Sequence, residues 1–597
     1  MASIDEIFNG AKSSGSKRKN EAIRDPNEIY KSARGGNTTP RHFKADGDGD
    51  DVNMEAGPAA APPGNDEDED FGTSLPEDDD DGGDDDEGRF FGGGISKTEQ
   101  EALDFLQEDD GLEEVIDEPW LRRKLIALEK NINKNAELRA KFADEPQKFI
   151  ASEADLDASI KDLLILSEYP ALYKVLEKMG SVASLVGLLA HENTDIAIDV
   201  LQLLAELTDN DVDAEQDQWH SLVMPAMEAD FLDLLESNLV RFNDDNDDDE
   251  MGVSSGLTIV ENLMARRDDS VCNRIGSHKP LIKYLLSRAS RAEPTQISEN
   301  KQYSAEVLAI IVQSCTQTCD ILVSLDAVDA LLQLVAPYRR KDPAKGSSEE
   351  EYMGNLFEIL VALAESIQGK AKFLEAEGVE LCLLLITDAK LAKAPALRLL
   401  GCVAGIHSDL KAAEVATQVC IRIVEAAGLK PLFSTFYKTK DRRKINNLLA
   451  IFAVMLQLLP LDEAPRIRLL AKWVEKDYQK LHKVISMRAK IARALENVDK
   501  EHGVVDGKAE FPADDDDAQK IQYLSDQIEA GMGSLEHIDL ILAWLVTEDA
   551  GVASKVKQEV GYDRIIATFN GMMKSPFEES QNEDKTDMLT TLISFLQ

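Results

Sequence analysis

Cations are scarce in this chain: 65 Lys and Arg stand against 112 Asp and Glu over 597 residues, a formal net charge of −47. Such a surplus excludes a nucleic-acid grip by the whole chain, because phosphate contacts need clustered positive charge. Aromatic residues are only 6% of the total. With Leu, Ala and Ile supplying most of the apolar content, helix-on-helix packing suits the composition better than a β-sandwich. Cysteine is rare as well. Cys272, Cys315, Cys319, Cys382, Cys402 and Cys420 show no zinc-type or redox-type spacing, which excludes a disulfide framework and fits reduced, buried thiols of an intracellular protein. The longest apolar run, Leu448 to Leu459, falls short of the ~20 residues a bilayer span needs. Met1 to Gly10 has no basic-then-apolar secretion signal. These absences predict a soluble protein that is neither secreted nor membrane-bound.

Catalytic and ligand-binding motifs are missing too. None of the eight histidines falls in an HExxH pattern, and no GxSxG elbow occurs. Gly92-Gly93-Gly94 lacks the lysine and hydroxyl of a phosphate-binding loop. Asp46, Asp48 and Asp50 imitate the start of a calcium loop, but Asp51 stands where glycine is required and Gly57 where a bidentate glutamate is required. The expectation is a non-enzyme with no cofactor and no metal.

What the chain does have is a repeat. In Leu172–Asp209 the apolar residues Leu185, Leu188 and Leu189, then Ile196, Val200, Leu204 and Leu207, recur at helical steps of three and four. Between the two sets His191-Glu192-Asn193-Thr194-Asp195 is polar; Asn193 or Thr194 suits a helix cap, and Asp195 a first turn. Before them, Gly180 can end a preceding helix in the left-handed conformation. The unit reads as helix, glycine turn, helix, polar turn, helix. Comparable stretches follow Gly276, Asp326, Gly378 and Gly428, at successive spacings of 96, 50, 52 and 50 residues, with a weaker copy at Ala229–Leu235 filling the double step. A unit of this size cannot bury its apolar face alone, so the copies must stack. The expected fold is all-α: a right-handed armadillo- or HEAT-type α-solenoid behind a disordered N-terminal tail.

Residues 1–95 make that tail. Its first 44 residues carry nine Lys or Arg against five acids, with a cluster at Lys17-Arg18-Lys19 of the nuclear-import kind; residues 45–88 hold 19 acids and no base, and cannot collapse into a core. Residues 96–170 form a helical cap, 171–460 the armadillo repeats, and 461–597 a C-terminal helical region completing the solenoid. Asn243–Glu250 and Tyr338–Glu351 read as polar connections, Ile467 to Asn497 as one longer helix, and Glu501–Asp517 as a loop. Lys438, Lys440, Arg442, Arg443 and Lys444 form a basic patch that reads as a solvated helix start, with an acidic partner or RNA as the other reading.

Stacked three-helix repeats offer an inner groove lined by the last helix of each unit, suited to an extended peptide. In so acidic a chain the natural ligand is a basic segment. Glu206 in LLAELTD and Asn262 in IVENLMA occupy equivalent places and are the candidate groove residues; each also reads as an ordinary helix position. Import carriers place Asn four residues after Trp on their inner helices, but here Trp120, Trp219, Trp473 and Trp544 are followed at that offset by Lys124, Val223, Asp477 and Glu548. A junctional catenin needs a strongly basic groove, against the charge of this chain.

Several stretches resemble the β-catenin-like protein 1 family of nuclear armadillo proteins: Glu137–Phe142 (ELRAKF), Pro146–Phe149, Glu153–Asp157, His191–Ile196 (HENTDI), Ile259–Asn262, Tyr303–Ile310 and Leu535–Ile538. The resemblance runs in order from about Pro119 and loosens after Gly428. It implies a spliceosome-associated, non-enzymatic adaptor of the nineteen complex in the nucleus, binding a basic segment of a Myb-type, cell-division-cycle-5-like splicing factor. It further implies contact with nuclear import carriers, and makes Lys17, Arg18 and Lys19 the import signal. The deaminase bound by animal members is not carried over, and homodimerisation is left open.

Overall fold

The computed structural model describes residues 115–243, 246–293, 296–405, 410–503, 516–573 and 583–597. The tail, with Lys17, Arg18 and Lys19, lies outside them. Ile95 to Gln597 belong to one compact unit, and its described residues contain helices and no strand.

The unit opens with α1 (Glu118–Lys141), α2 (Ile150–Lys161), α3 (Tyr173–Lys178), α4 (Ser181–Gly187) and α5 (Thr194–Leu207). Four complete three-helix units follow: α6 (Gln216–Glu228), α7 (Phe231–Arg241) and α8 (Asp247–Ala265); α9 (Asp269–Ser277), α10 (Lys279–Ser290) and α11 (Glu299–Ser314); α12 (Thr316–Ser324), α13 (Ala327–Val335) and α14 (Ser348–Leu363); α15 (Ile367–Glu375), α16 (Gly378–Asp388) and α17 (Lys393–Ala404). A fifth comprises α18 (Leu410–Glu425), α19 (Leu429–Lys438) and α20 (Arg442–Leu458), before α21 (Ala464–Glu501), α22 (Asp516–Ala530), α23 (Met532–Glu548), α24 (Ala550–Glu559), α25 (Tyr562–Met572) and α26 (Glu583–Leu596). The third helices form an unbroken column, α2 on α5 on α8 on α11 on α14 on α17 on α20, closed by α23. First helices α9, α12, α15 and α18 stack alongside.

The third helices are the most deeply packed because they have neighbours on three sides. In α5 not only Ile196, Val200, Leu204 and Leu207 but also Ile198, Leu201 and Leu203 are buried. What stays accessible is one stripe. Asn193 caps α5, its side chain accepting from the Asp195 amide at 3.0 Å, with Asp195 favourably placed in the first turn.

The turn between first and second helices is left-handed in five copies, at Gly180, Asp230, Asp326, Glu377 and Ala427, with φ of 69°, 58°, 54°, 55° and 59°. The expected glycines Gly378 and Gly428 thus sit one residue late. Both are right-handed and needed for room: a Cβ at Gly378 would lie 2.6 Å from the Phe373 ring, and one at Gly428 2.7 Å from the Ile423 carbonyl. Gly276 is likewise inside α9, where a Cβ would meet Cys315 at 2.5 Å. The period was therefore legible through close packing rather than through backbone freedom alone.

Three boundaries differ from expectation. Asp247–Glu250 are not loop but the first turn of α8, where four acids complement the helix dipole. Helix α14 begins at Ser348, its N-cap Ser347 accepting from the Glu350 amide at 3.3 Å, so the polar insertion is shorter. The long helix α21 is broken at Glu475–Tyr478, with Lys476, Asp477 and Tyr478 at φ of 56°, 53° and 60°. The break lets Trp473 turn into an aromatic cluster with Phe433 and Phe452, ring centroids 5.0 and 5.5 Å away. Of the expected 501–517 loop, residues 504–515 lie outside the described residues and Asp516 already belongs to α22.

Candidate protein-binding face

Each third helix leaves one stripe uncovered, and the stripes of neighbouring helices adjoin to make a continuous polar face. On α5 the stripe is Asp195, Asp199, Gln202 and Glu206; on α8, Met251, Ser255, Thr258 and Glu261. On α11 it is Gln302, Tyr303, Glu306 and Ile310; on α14, Glu351, Asn355, Glu358 and Ala362. These four stripes hold no Lys or Arg. The side chains touch across the helices: Tyr303 donates its hydroxyl to Glu261 Oε2 at 2.5 Å, and Glu358 pairs with Arg398 of α17.

Several of these carboxyls are half-buried and face one another. Burial, then the hydrogen bond shared with Asp157 on α2, pushes Asp199 up to about 8. Asp157 itself is lowered against its burial, by hydrogen bonds from Asp199 and Lys161. Lys161, 3.2 Å from Asp199, is the cation that both share. Glu306 is raised by burial and by the charges of Glu261 and Glu351, and Asp195 by burial and by Asp248 and Asp249. Opposed carboxylates held in a half-dry setting mark a face short of positive charge.

Glu206 lies on this face, exposed, with Ser167 Oγ donating to it at 3.5 Å. Asn262 lies beside it but is 6% exposed. Its Nδ2 donates to the Ala205 carbonyl at 3.1 Å and to Thr208 Oγ1 at 3.4 Å, so the amide joins α8 to the end of α5. Sequence spacing put the two residues in register but did not show which pointed outward. It also passed over Asp199, Glu261 and Glu306, whose signal was present as acids recurring on the uncovered stripe of each third helix. Trp120, Trp219 and Trp473 are 4%, 1% and 0% exposed, so none can clamp a peptide. Among the described residues no group of acids, histidines and cysteines has a metal-site arrangement, and no helix is long and apolar enough to cross a membrane.

A column of stacked three-helix repeats with a largely polar, accessible third-helix face defines an armadillo-type solenoid, a class that serves as a protein-binding scaffold. Residues 100–566 match the family model described as catenin-beta-like, Arm-motif containing nuclear. The chain is 34% identical over 525 residues to the beta-catenin-like protein 1 homolog of Schizosaccharomyces pombe, covering 85% of this chain and 90% of that one. It is 32% identical over 443 residues to human beta-catenin-like protein 1, covering 72% and 76%. Among solved structures, one from work on a phosphorylation switch in the cadherin and beta-catenin interaction is 13% identical, covers 83% and 92%, and has a TM-score of 0.45. The chain belongs to the β-catenin-like protein 1 family of nuclear armadillo proteins.

Proposed function

We propose that this protein is a non-enzymatic nuclear scaffold of the pre-mRNA splicing machinery, holding a basic, extended segment of a Myb-type splicing factor on its acidic third-helix face. The observation that carries the reading is the run of four successive third helices whose uncovered stripes bear Asp195, Asp199, Glu206, Glu261, Glu306, Glu351 and Glu358 and no cation of their own, Lys161 of α2 and Arg398 of α17 reaching only Asp199 and Glu358 at the two ends. An extended peptide laid across them would meet a new acid on each helix, so arginines and lysines a few residues apart are fixed in register as well as attracted. Lys17, Arg18 and Lys19 would serve import, and import carriers would be the partners that read them.

The test is fluorescence anisotropy of a Lys/Arg-rich peptide with the full chain. Glu206→Lys is expected to weaken binding about three- to tenfold while the helical melting curve stays put. Asn262→Ala is expected to do the reverse: a lower melting temperature, since it orphans the joint between α5 and α8 at a cost of about 1–2 kcal/mol, with the peptide still bound. Unchanged affinity in Glu206→Lys would remove that residue from the site. Affinity purification from nuclear extract checks the partner class: recovery of import carriers without splicing proteins would replace the splicing assignment.

A further inference from the structure

The third-helix face changes sign partway along. Glu358 on α14 is its last acid of the run, and it pairs with Arg398 of α17. Beyond that pair the uncovered stripe of α17 carries Ala394, Arg398, Gly401 and Cys402, that of α20 carries Arg443, Asn447, Ala450 and Val454, and neither holds an acid. Lys438, exposed at the end of α19, and Lys440, exposed in the turn before α20, extend the positive area beside it. No carboxylate lies within ion-pair distance of Lys438, Lys440 or Arg443 among the described residues, although the chain as a whole is at −47.

The helix ends show the same reversal, and there the arrangement works against the fold. First turns of α5, α8, α11 and α14 carry Asp195, Asp247 to Glu250, Glu299, and Glu349 to Glu351. The first turn of α20 instead has Arg442, Arg443 and Lys444 and no acid. Cations are disfavoured at that end of a helix dipole. Asp441, the N-cap, holds Lys444 at 3.2 Å, and Arg442 donates to the Glu529 carbonyl at 2.7 Å, which leaves Arg443 uncompensated. Residues that oppose local stability this way are expected where a ligand supplies the missing charge.

We propose that the partner segment is bipolar, with a basic stretch seated on the α5–α14 face followed or preceded by an acidic stretch seated on Arg443, Lys438 and Lys440. The inference rests on the basic-segment reading above and adds the chemistry of the adjoining segment. Third helices pack about 8–10 Å apart, so the two steps from α14 to α20 span roughly 16–20 Å. An extended chain covers about 3.3 Å per residue, which sets the spacing between the basic and acidic stretches at about five or six residues. A polyanion such as RNA lacks the basic stretch that would offset repulsion by the rest of the chain.

Three peptides test this against the full chain at fixed salt: a basic segment alone, the same segment joined through six neutral residues to six glutamates, and the same joined to six glutamines. The glutamate peptide is expected to bind about tenfold tighter than the glutamine one. The advantage should vanish in the exposed-site variant Lys438→Ser, Lys440→Ser, Arg443→Ser, whose affinity for the basic segment alone should not change. Shortening the neutral spacer to two residues should also abolish the advantage in the unaltered chain, a readout independent of variant folding. Equal affinity of the glutamate and glutamine peptides overturns the inference but leaves the basic-segment reading intact; failure of the basic segment to bind overturns both. An advantage that survives in the variant, or a single-stranded RNA that competes at the triple site while the glutamate peptide gains nothing there, also overturns it.

Discussion

Asp199 illustrates how one carboxyl can link the fold to the proposed basic ligand. Its acid form is held by burial and by the Asp157 carboxyl, up to about 8 against the ~3.9 of an unfolded chain. A raised folded value means stability that is fully present below about pH 4 and lost as pH climbs through about 8. Asp199→Asn should therefore be little changed at pH 4 and more stable than the unaltered chain at pH 8, by about 1–3 kcal/mol, in thermal melts at the two values. Coincident pH–stability curves for the two proteins would show that Asp199 is already ionised without strain. A cation seated beside Asp199 would favour its charged form, so basic-peptide binding should release protons between pH 6 and 8, seen as buffer-dependent heat in calorimetry, and the Asn variant should release fewer.

At the scale of elements, the break in α21 is the least expected feature. Helical periodicity runs on through Ile467, Leu470, Trp473, Tyr478, Leu481 and Ile485 without a glycine or proline to mark a stop. Yet Lys476, Asp477 and Tyr478 are left-handed, a conformation costing such residues about 1–2 kcal/mol each. The gain on the other side is tertiary: Trp473 is fully buried against Phe433 and Phe452, Tyr478 donates to Asp549 Oδ1 at 3.2 Å, and Lys480 donates to the Lys472 carbonyl at 2.9 Å. Asp477 is exposed, so Asp477→Gly removes strain without removing a contact and should stabilise by about 0.5–1 kcal/mol in chemical denaturation. Destabilisation would mean α21 runs straight through that point in solution. The left-handed turns between first and second helices follow the same logic on a smaller scale, with Asp230, Asp326, Glu377 and Ala427 tolerating what Gly180 adopts freely.

Across the whole molecule, charge is laid out by column rather than by segment. Acids of the third-helix face come from α5 to α14, Asp195 to Glu358, a stretch of chain brought into register by a repeat of about fifty residues. Such a face works through summed fields, so peptide affinity should fall at least tenfold between about 50 and 300 mM salt. At the positive end the fold and the ligand make opposite demands. Arg443→Glu should raise the melting temperature slightly, by about 1–3 °C, because the first turn, behind its N-cap Asp441, exchanges a cation for an acid, while abolishing preference for a bipolar peptide. A lower melting temperature would show that Arg443 serves the fold.

The existence of helices, their three-per-repeat grouping and the spacing of about fifty residues were all legible in the sequence, because apolar residues at steps of three and four report directly on which face must be covered. So was the acidic character of the chain as a whole, since net charge is a sum that needs no geometry. Which acids form the binding face was not legible. Glu206 and Asn262 each precede a leucine, but on α8 the place of Glu206 is taken by Glu261; Asn262, one residue and about 100° further round, is buried and bonded to the Ala205 carbonyl of the preceding unit. Asp199, Glu261 and Glu306 belong to the face only because α2, α5, α8, α11 and α14 are stacked, and the break in α21 exists only because Trp473 has an aromatic cluster to enter. Local spacing determines what a helix must bury; which neighbour buries it, and which residues are left outside, depends on contacts some fifty residues apart that only the stacked structure supplies.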